Sequence, residues 1–270
     1  AGQSVLTQKV VLTAGSRRID FVTRVDWRES GKMLRTSFPL DLKSDTVHCA
    51  IQFGSVKRQT VRNTMWDYAK DEFCAHHWID LSEADYGMAL LNDSKYGHSA
   101  EGNVLDLNLL RSPSFPDPEA DRAEHEFTYS LYPHPGNHVQ AAVYKRGYEL
   151  NVPLRTIPLP AASSAAAGKA GSASPDAEPA VPPQHSFLRL DHPNVMVETV
   201  KQAEDGEDLI VRMYETAGAH ARTVLAFGFD VTEAWTCNLM EEIIGPAPLS
   251  ANRTELSFTP FEIKTLRLRT

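Results

Sequence analysis

Short runs of β-branched and aromatic residues, each bounded by glycine, proline, asparagine or aspartate, recur along most of this chain. Such runs are typical of β-strands, because branched and aromatic side chains pack well on a pleated sheet and the bounding residues favour turns. Helical periods are scarce, and we find no convincing long amphipathic helix and no repeat of solenoid or propeller length. The sequence therefore predicts an all-β protein, with strands over residues 5–13, 19–27, 47–53, 88–91, 104–110, 126–132, 139–144, 195–200, 208–215, 222–227, 255–258 and 263–268.

The run from residue 19 to residue 27 has the pattern of a half-buried strand. Apolar and polar side chains alternate there, and successive residues of a strand face opposite sides of its sheet. One predicted face carries Ile19, Phe21, Thr23, Val25 and Trp27, and the other carries Asp20, Val22, Arg24 and Asp26. The second, polar face suits either the wall of a groove or bulk solvent.

A break in composition divides the chain. Residues 161–183 consist mainly of alanine, serine, glycine and proline and contain almost no large apolar side chain. Such a segment cannot bury enough surface to offset its loss of chain entropy, so it is predicted to be a flexible linker or a long exposed loop. We therefore expect one β-domain over residues 1–160, a linker over 161–184 and a smaller β-sandwich over 185–270.

Charge and cysteine content exclude some classes of protein. The formal net charge is −8 and the isoelectric point is about 5.7, which argues against a broad electrostatic footprint for nucleic acid. No apolar run approaches the ~20 residues that cross a bilayer, and no signal peptide is visible. The three cysteines, Cys49, Cys74 and Cys237, form no disulfide or metal-binding pattern and are expected to be buried and reduced. We expect a cytoplasmic protein without a nucleic-acid or membrane partner.

Polar residues crowd into the loop that begins at Arg111. This arginine follows an apolar strand and precedes two turns that contain proline, which stiffens a loop by fixing φ. Polar groups held on rigid loops are the usual form of a ligand site. Arg111 with Asp117 or Asp121 could hold the hydroxyl groups of a sugar, although an ordinary solvated turn with one Arg–Asp pair fits the same residues.

Other chemistry is conceivable in the same region. Residues 117–124 could form one helical turn, and the spacing of Asp117, Asp121 and His125 would then place three metal-ligand types on one face. Two of its carboxylates could also lie at the separation found in glycosidases, a weak signal in a chain with 35 acidic residues. Downstream, His134 and His138 flank a Pro-Gly-Asn sequence that predicts a hairpin turn.

Several segments, in order and in spacing, resemble a known family. They are Phe-Gly-Ser-Val-Lys-Arg at 53–58, Asn-Thr-Met-Trp-Asp at 63–67, His-Trp-Ile-Asp-Leu-Ser-Glu at 77–83, Tyr-Gly-Met-Ala-Leu-Leu-Asn-Asp-Ser-Lys-Tyr-Gly at 86–97, Leu-Leu-Arg-Ser-Pro at 109–113, Pro-Asp-Pro at 116–118, His-Glu-Phe-Thr-Tyr at 125–129 and Tyr-Pro-His at 132–134. Over residues 24–153 the chain resembles the C-terminal region of the family 38 glycoside hydrolases, the retaining α-mannosidases, in their cytosolic and bacterial branch. The tail beyond the linker fits the family's terminal β-domain more weakly.

This resemblance implies a fold and a role. The fold would be a galactose-mutarotase-like β-supersandwich, incomplete at its N-terminus, followed by a small β-sandwich. The zinc ion and the catalytic aspartate would belong to a missing N-terminal catalytic domain, which would be this chain's partner, so no catalytic or metal-binding residue is expected here. The chain would support that domain and complete one wall of the cleft for mannose-containing oligosaccharides. Arg111 is the first candidate to reach the substrate, followed by Asp117, Asp121, His125 and Tyr96.

Two other functions are weighed against this one. An autonomous carbohydrate-binding module would need an exposed aromatic platform, for which the candidates are Trp27, Trp66, Trp78 and Trp235. An epimerase-like enzyme on the same fold would need an acid and a base, for which His125 with Glu124 or Glu126 could serve. Fold analogy alone would support that second alternative.

Overall fold

Two β-sandwiches make up the computed structural model, which describes residues 2–158 and 184–270. The all-β prediction is confirmed: the described residues contain nineteen strands and one helix of nine residues. The predicted linker lies outside the described residues except for Gln184. The domain boundaries drawn from composition stay a prediction.

The first sandwich contains eleven strands and the helix. Its elements are β1 (Val5–Leu12), β2 (Ile19–Asp26), β3 (Leu34–Pro39), β4 (Thr46–Ile51), β5 (Gly54–Gln59), β6 (Phe73–Cys74), β7 (Trp78–Ser82), β8 (Tyr86–Asn92), β9 (Gly97–Glu101), β10 (Val104–Leu110), β11 (Glu124–Pro135) and α1 (Val143–Asn151). A seven-stranded sheet has the order β1-β2-β11-β8-β7-β4-β5, and a four-stranded sheet has the order β3-β10-β9-β6. All pairings are antiparallel.

The main core lies between these two sheets. Fully buried side chains from the seven-stranded sheet, such as Ile79 and Leu90, meet Leu105 and Leu107 from the four-stranded sheet. The alternate residues of β10, Asp106 and Asn108, face outward, because successive side chains of a strand point to opposite faces. The four-stranded sheet therefore has an apolar inner face and a polar outer face.

The alternating pattern over residues 19–27 is confirmed. Thr23, Val25 and Trp27 are buried in the core, while Val22 and Arg24 are exposed. Among the described strands β1 pairs with β2 alone, and both of its faces are exposed, including its five apolar residues Val5, Leu6, Val10, Val11 and Leu12.

The predicted strand over residues 139–144 is wrong, and so is the hairpin turn before it. The chain leaves β11 through Gly136, which has a φ of 65°, and Asn137 accepts hydrogen bonds from the backbone N–H groups of Val139 and Gln140. Asparagine in this position favours a helical turn. Helix α1 then packs Val143 and Tyr144 on the outer face of the seven-stranded sheet.

The second sandwich is smaller and has a core of its own. Its strands are β12 (Leu188–Leu190), β13 (Val195–Gln202), β14 (Leu209–Glu215), β15 (Ala221–Phe227), β16 (Glu233–Cys237), β17 (Ile243–Pro246), β18 (Arg253–Phe258) and β19 (Ile263–Arg269). A three-stranded sheet of order β12-β15-β18 packs on a five-stranded sheet of order β13-β14-β19-β16-β17. Leu225 from the first sheet and Met213, Leu266 and Leu268 from the second are fully buried between them.

The two sandwiches touch through helix α1 and the β4–β5 turn. The Tyr144 hydroxyl donates a hydrogen bond to the Pro193 carbonyl, and Met196 packs against the cluster that contains Trp78 and Tyr144. On the other side, the rings of Phe53 and Tyr214 meet edge to face with centroids 5.5 Å apart. Aromatic side chains therefore dominate this junction.

Eight strands were missed by the sequence patterns, namely β3, β5, β6, β7, β9, β12, β16 and β17. Most are short, and β7 lacks alternation because four of its five residues are buried.

The prediction of buried cysteines is right for Cys49 and Cys237 but wrong for Cys74, which is exposed at the end of the edge strand β6. Within the described ranges, no helix has the length and hydropathy of a membrane span.

Candidate functional site

An open cleft of about 640 Å³ lies at one end of the first sandwich, between residues of the four-stranded sheet and His125 of the seven-stranded sheet. It forms where β10 ends, at the edge of the sheet from which the loops before β3 and β9 also emerge. Three of the five predicted site residues, Arg111, Asp121 and His125, line it together. Glu72, Lys95 and Asn108 complete its polar wall.

Asp121 positions the Arg111 loop. One of its carboxylate oxygens accepts hydrogen bonds from the backbone N–H of Arg111 (3.0 Å) and of Ser112 (2.8 Å). The Ser112 contact contributes most to holding the pKa of Asp121 below its ordinary value. Ser112 is itself buried, has a φ of 48° and accepts a hydrogen bond from the Trp27 indole, so the loop is anchored to the core. Asp121 therefore positions Arg111 through hydrogen bonds to the backbone of the loop.

Two further side chains with nitrogen donors, His125 and Lys95, flank the cleft. His125 donates a hydrogen bond from Nε2 to the Asp121 carbonyl at 2.7 Å. The ammonium group of Lys95 lies 4.3 Å from the centroid of the Phe127 ring, and burial lowers its pKa. Lys95 was not among the predicted site residues, although it lies in the Asn-Asp-Ser-Lys-Tyr-Gly segment that carried the resemblance. Cationic donors and the Asn108 amide suit a ligand rich in oxygen.

Asp117 and Tyr96 do not join the cleft. The Asp117 carboxylate accepts a hydrogen bond from the Glu119 backbone N–H at 2.9 Å and caps an exposed turn. The Tyr96 ring is 56% exposed and packs edge to face on His76. The helical face predicted for Asp117, Asp121 and His125 is wrong, because residues 118–121 form a turn and Asp121 has a φ of 64°. Among the described residues, no group of three His, Cys, Asp or Glu side chains is placed to hold a metal ion.

The two alternative functions find less support in this geometry. Of the four tryptophans, Trp27 and Trp78 are buried in the core and Trp235 is partly buried, so they form no shared platform; Trp66 alone is exposed. His125 alternates with Glu124 and Glu126 along β11, and both glutamates pair with Arg24 on the other face of the strand. The acid–base pair that an epimerase needs is therefore not assembled by these residues.

A buried polar cluster lies on the outer face of the seven-stranded sheet. His134 donates a hydrogen bond from Nε2 to Asp80 at 2.7 Å, and neither side chain is accessible to solvent. The two residues belong to β11 and β7, and they meet across β8 where it carries only Gly87 and Ala89. A Cβ atom on Gly87 would lie 2.4 Å from the His134 ring, so glycine is required there.

Two other buried histidines make stability depend on pH. Burial lowers the pKa of His98 and of His138 to about 4, and the second ring also lies 3.9 Å from that of His48. An unfolded histidine takes up a proton near pH 6.5, so stability is complete above pH 6.5 and falls as the pH drops toward 4. We expect each of these two rings to lower the free energy of unfolding by roughly 3 kcal/mol between pH 6.5 and pH 4.

Urea unfolding followed by circular dichroism at several pH values measures this loss. His138→Gln should flatten the pH dependence of the unfolding free energy between pH 6.5 and 4, whereas His220→Gln, which changes an exposed histidine, should leave it unchanged. If the unfolding free energy of His138→Gln depended on pH as steeply as that of the wild-type chain, His138 would not contribute to the pH dependence.

Comparison with known proteins identifies the family. The sequence model of the glycosyl hydrolases family 38 C-terminal domain matches residues 1–119, and that of the family 38 C-terminal beta sandwich domain matches residues 194–266. These matches fall on the first and the second sandwich respectively. The resemblance drawn from the sequence motifs is therefore confirmed.

Relatives with known names agree with this assignment. Alpha-mannosidase 2C1 of Mus musculus is 42% identical over 270 residues, covering 98% of this chain and 24% of the relative, and Alpha-mannosidase G of Dictyostelium discoideum is 37% identical over 275 residues, covering 99% and 24%. An alpha-mannosidase structure from Enterococcus faecalis V583 superposes with a TM-score of 0.77 at 20% identity, covering 98% of this chain and 29% of that one, which supports the fold. The chain thus spans about a quarter of the length of the curated relatives it matches. It belongs to glycosyl hydrolase family 38, of which it carries the C-terminal β-domains.

Proposed function

We propose that this chain forms the C-terminal β-domains of a retaining α-mannosidase that removes terminal α-linked mannose from oligosaccharides. In this proposal the catalytic residues and a zinc ion belong to an N-terminal domain of the same polypeptide, and the present chain alone is inactive. The observation that carries the proposal is the cleft in which Asp121 fixes the loop of Arg111 beside Lys95 and His125. This wall would bind substrate hydroxyl groups while the other domain performs the chemistry.

The surface of the first sandwich supports a domain partner. Strand β1 exposes apolar side chains on both faces, and Met65, Trp66 and Tyr68 are almost fully exposed in one loop. Exposed apolar groups gathered in this way are typical of surfaces that pack against another domain. The much greater length of the relatives is consistent with such a partner in the same polypeptide.

A cytoplasmic location is part of the proposal. All three cysteines are free thiols although the first sandwich alone contains two of them. Secreted proteins more often use their cysteines in disulfides, so free thiols favour a reducing compartment.

The test of this function is Arg111→Ala in the longer enzyme that contains this chain. Loss of a charge-assisted hydrogen bond to the substrate costs about 1.5–3 kcal/mol, so we expect kcat/KM for an α-mannoside to fall about 10- to 150-fold. The measurement is steady-state kinetics on a chromogenic α-mannoside and on a mannose oligosaccharide.

Arg122→Ala is the matched control. Arg122 lies in the same loop, is exposed and pairs with Glu119, three residues earlier, so its loss should change kcat/KM by less than about twofold. Equal effects of the two substitutions would remove the special role of Arg111. Mannosidase activity in the 270-residue chain alone would overturn the division of labour between the domains.

A further inference from the structure

A second cavity, of about 240 Å³, lies at the junction of the two sandwiches, away from the Arg111 cleft. Four parts of the fold form its walls: the β4–β5 turn, the segment before β7, helix α1 and strands β13 and β14 of the second sandwich. Gln52 and Glu198 are exposed at its mouth, while Trp78, Tyr144 and Tyr214 are buried in its walls. The cavity is therefore concave and open to solvent, as small-ligand sites are.

Hydroxyl and imidazole groups lie between the aromatic rings. The Tyr148 and Tyr214 hydroxyl oxygens lie 3.3 Å apart, a long contact that leaves each with capacity for another hydrogen bond. The His77 ring packs edge to face on Tyr148, with ring centroids 5.5 Å apart. Burial, with a smaller contribution from His76, lowers the pKa of His77, so the neutral ring offers one donor and one acceptor at pH 7.

The charge of the cavity restricts its ligand. No lysine or arginine is among the residues that line it, so a phosphate or carboxylate ligand would have no counter-charge. Flat aromatic walls beside several neutral donors and acceptors suit a molecule that has apolar C–H faces and many hydroxyl groups. A volume below the ~300 Å³ at which drug-sized sites begin limits it to about one ring.

We propose that this junction cavity binds a single neutral sugar ring, with Tyr148, Tyr214 and His77 as its hydrogen-bonding groups. The site differs from the Arg111 cleft in place and in charge, and the proposal holds whether or not the longer enzyme cleaves mannosides. Because both sandwiches supply its walls, a bound sugar would also stabilise their junction.

Titration of the 270-residue chain with methyl α-mannoside, methyl α-glucoside and methyl α-galactoside, followed by protein NMR, tests the proposal. At least one sugar should bind saturably with a Kd in the millimolar range and shift the resonances of the junction. Tyr148→Phe, which removes one hydroxyl group, should weaken binding about 2- to 10-fold. Gln52→Trp, which places a large ring at the exposed mouth, should abolish it.

Two controls separate this site from others. Tyr68→Phe makes the same chemical change on a tyrosine that is 82% exposed, and it should leave the Kd unchanged. Tetramethylammonium tests the competing idea of an aromatic cage for a cation, with Glu198 as its counter-charge. The proposal is overturned if none of the three sugars saturates, if both pocket variants bind like wild type, or if the cation binds more tightly than every sugar.

Discussion

Asp80→Ala should lower the free energy of unfolding by about 3–5 kcal/mol, because it breaks a fully buried pair and leaves the other partner behind. Asp80 accepts hydrogen bonds from His134 through one carboxylate oxygen and from Ser82 through the other. No solvent reaches either member of the pair, so the His134 N–H would lose its partner without gaining water. Urea unfolding at pH 7, followed by circular dichroism, measures the loss.

Two further variants test whether the lost hydrogen bond to His134 causes this destabilisation. Asp80→Asn retains an oxygen that can accept from His134, so its loss should be clearly smaller than that of the alanine variant. Asp41→Ala changes an exposed aspartate of the same sandwich and should fall within about 0.5 kcal/mol of wild type. A loss below about 1 kcal/mol for Asp80→Ala would mean that water or a rearranged side chain replaces the contact.

The sequence could not predict this pair, for a geometric reason. Asp80 and His134 are 54 residues apart and lie on strands that do not pair with each other. Their contact depends on the register of β8, which places Gly87 beside His134 and leaves room for its ring. A sequence pattern reports the periodicity of one strand, whereas strand order and register are set by the whole sheet.

Three of the five predicted site residues lie together in the structure for a local reason. Arg111, Asp121 and His125 do meet, since the chain turns back on itself between β10 and β11. The prediction relied on proline-stiffened turns to hold the loop, whereas the contact that holds it is the Asp121 carboxylate, which accepts hydrogen bonds from two backbone N–H groups. Lys95 was missed because it comes from another loop, which only the pairing of β9 with β10 brings to the same edge.

Local sequence patterns predicted the all-β class correctly but failed to predict the helix α1. Alternation over residues 19–27 matches the burial of β2, because one side of that strand faces the core between the two sheets. The run at 139–144 has similar residue types, yet the turn at Gly136 and Asn137 diverts the chain across the sheet as α1. Tertiary packing of Val143 and Tyr144 outweighs the strand propensity of so short a run.

Glu215→Ala should lower the free energy of unfolding of the second sandwich by about 3–5 kcal/mol. Its carboxylate is inaccessible to solvent and accepts hydrogen bonds from four backbone N–H groups, those of Ala217, Gly218, Ala219 and Phe261. Each of these donors would be left without its partner in a partly buried loop, and such a loss costs about 1–3 kcal/mol for a single buried group. Glu215→Gln keeps one acceptor oxygen and should lose less.

The effect should extend to the junction of the two sandwiches. Glu215 holds the backbone of Phe261, whose ring lies so close to Gly54 in β5 that an added Cβ there would come within 2.8 Å of it. Thermal unfolding should show the loss, and NMR of Glu215→Ala should show shifted resonances near Gly54. Glu233→Ala, which removes one partner of the exposed pair with Arg269, should change stability by less than about 1 kcal/mol and leave the Gly54 resonances in place. If Glu215→Ala proved as mild as this control, the loop from 216 to 219 would be held by its own backbone contacts, and Glu215 would not link the second sandwich to the first.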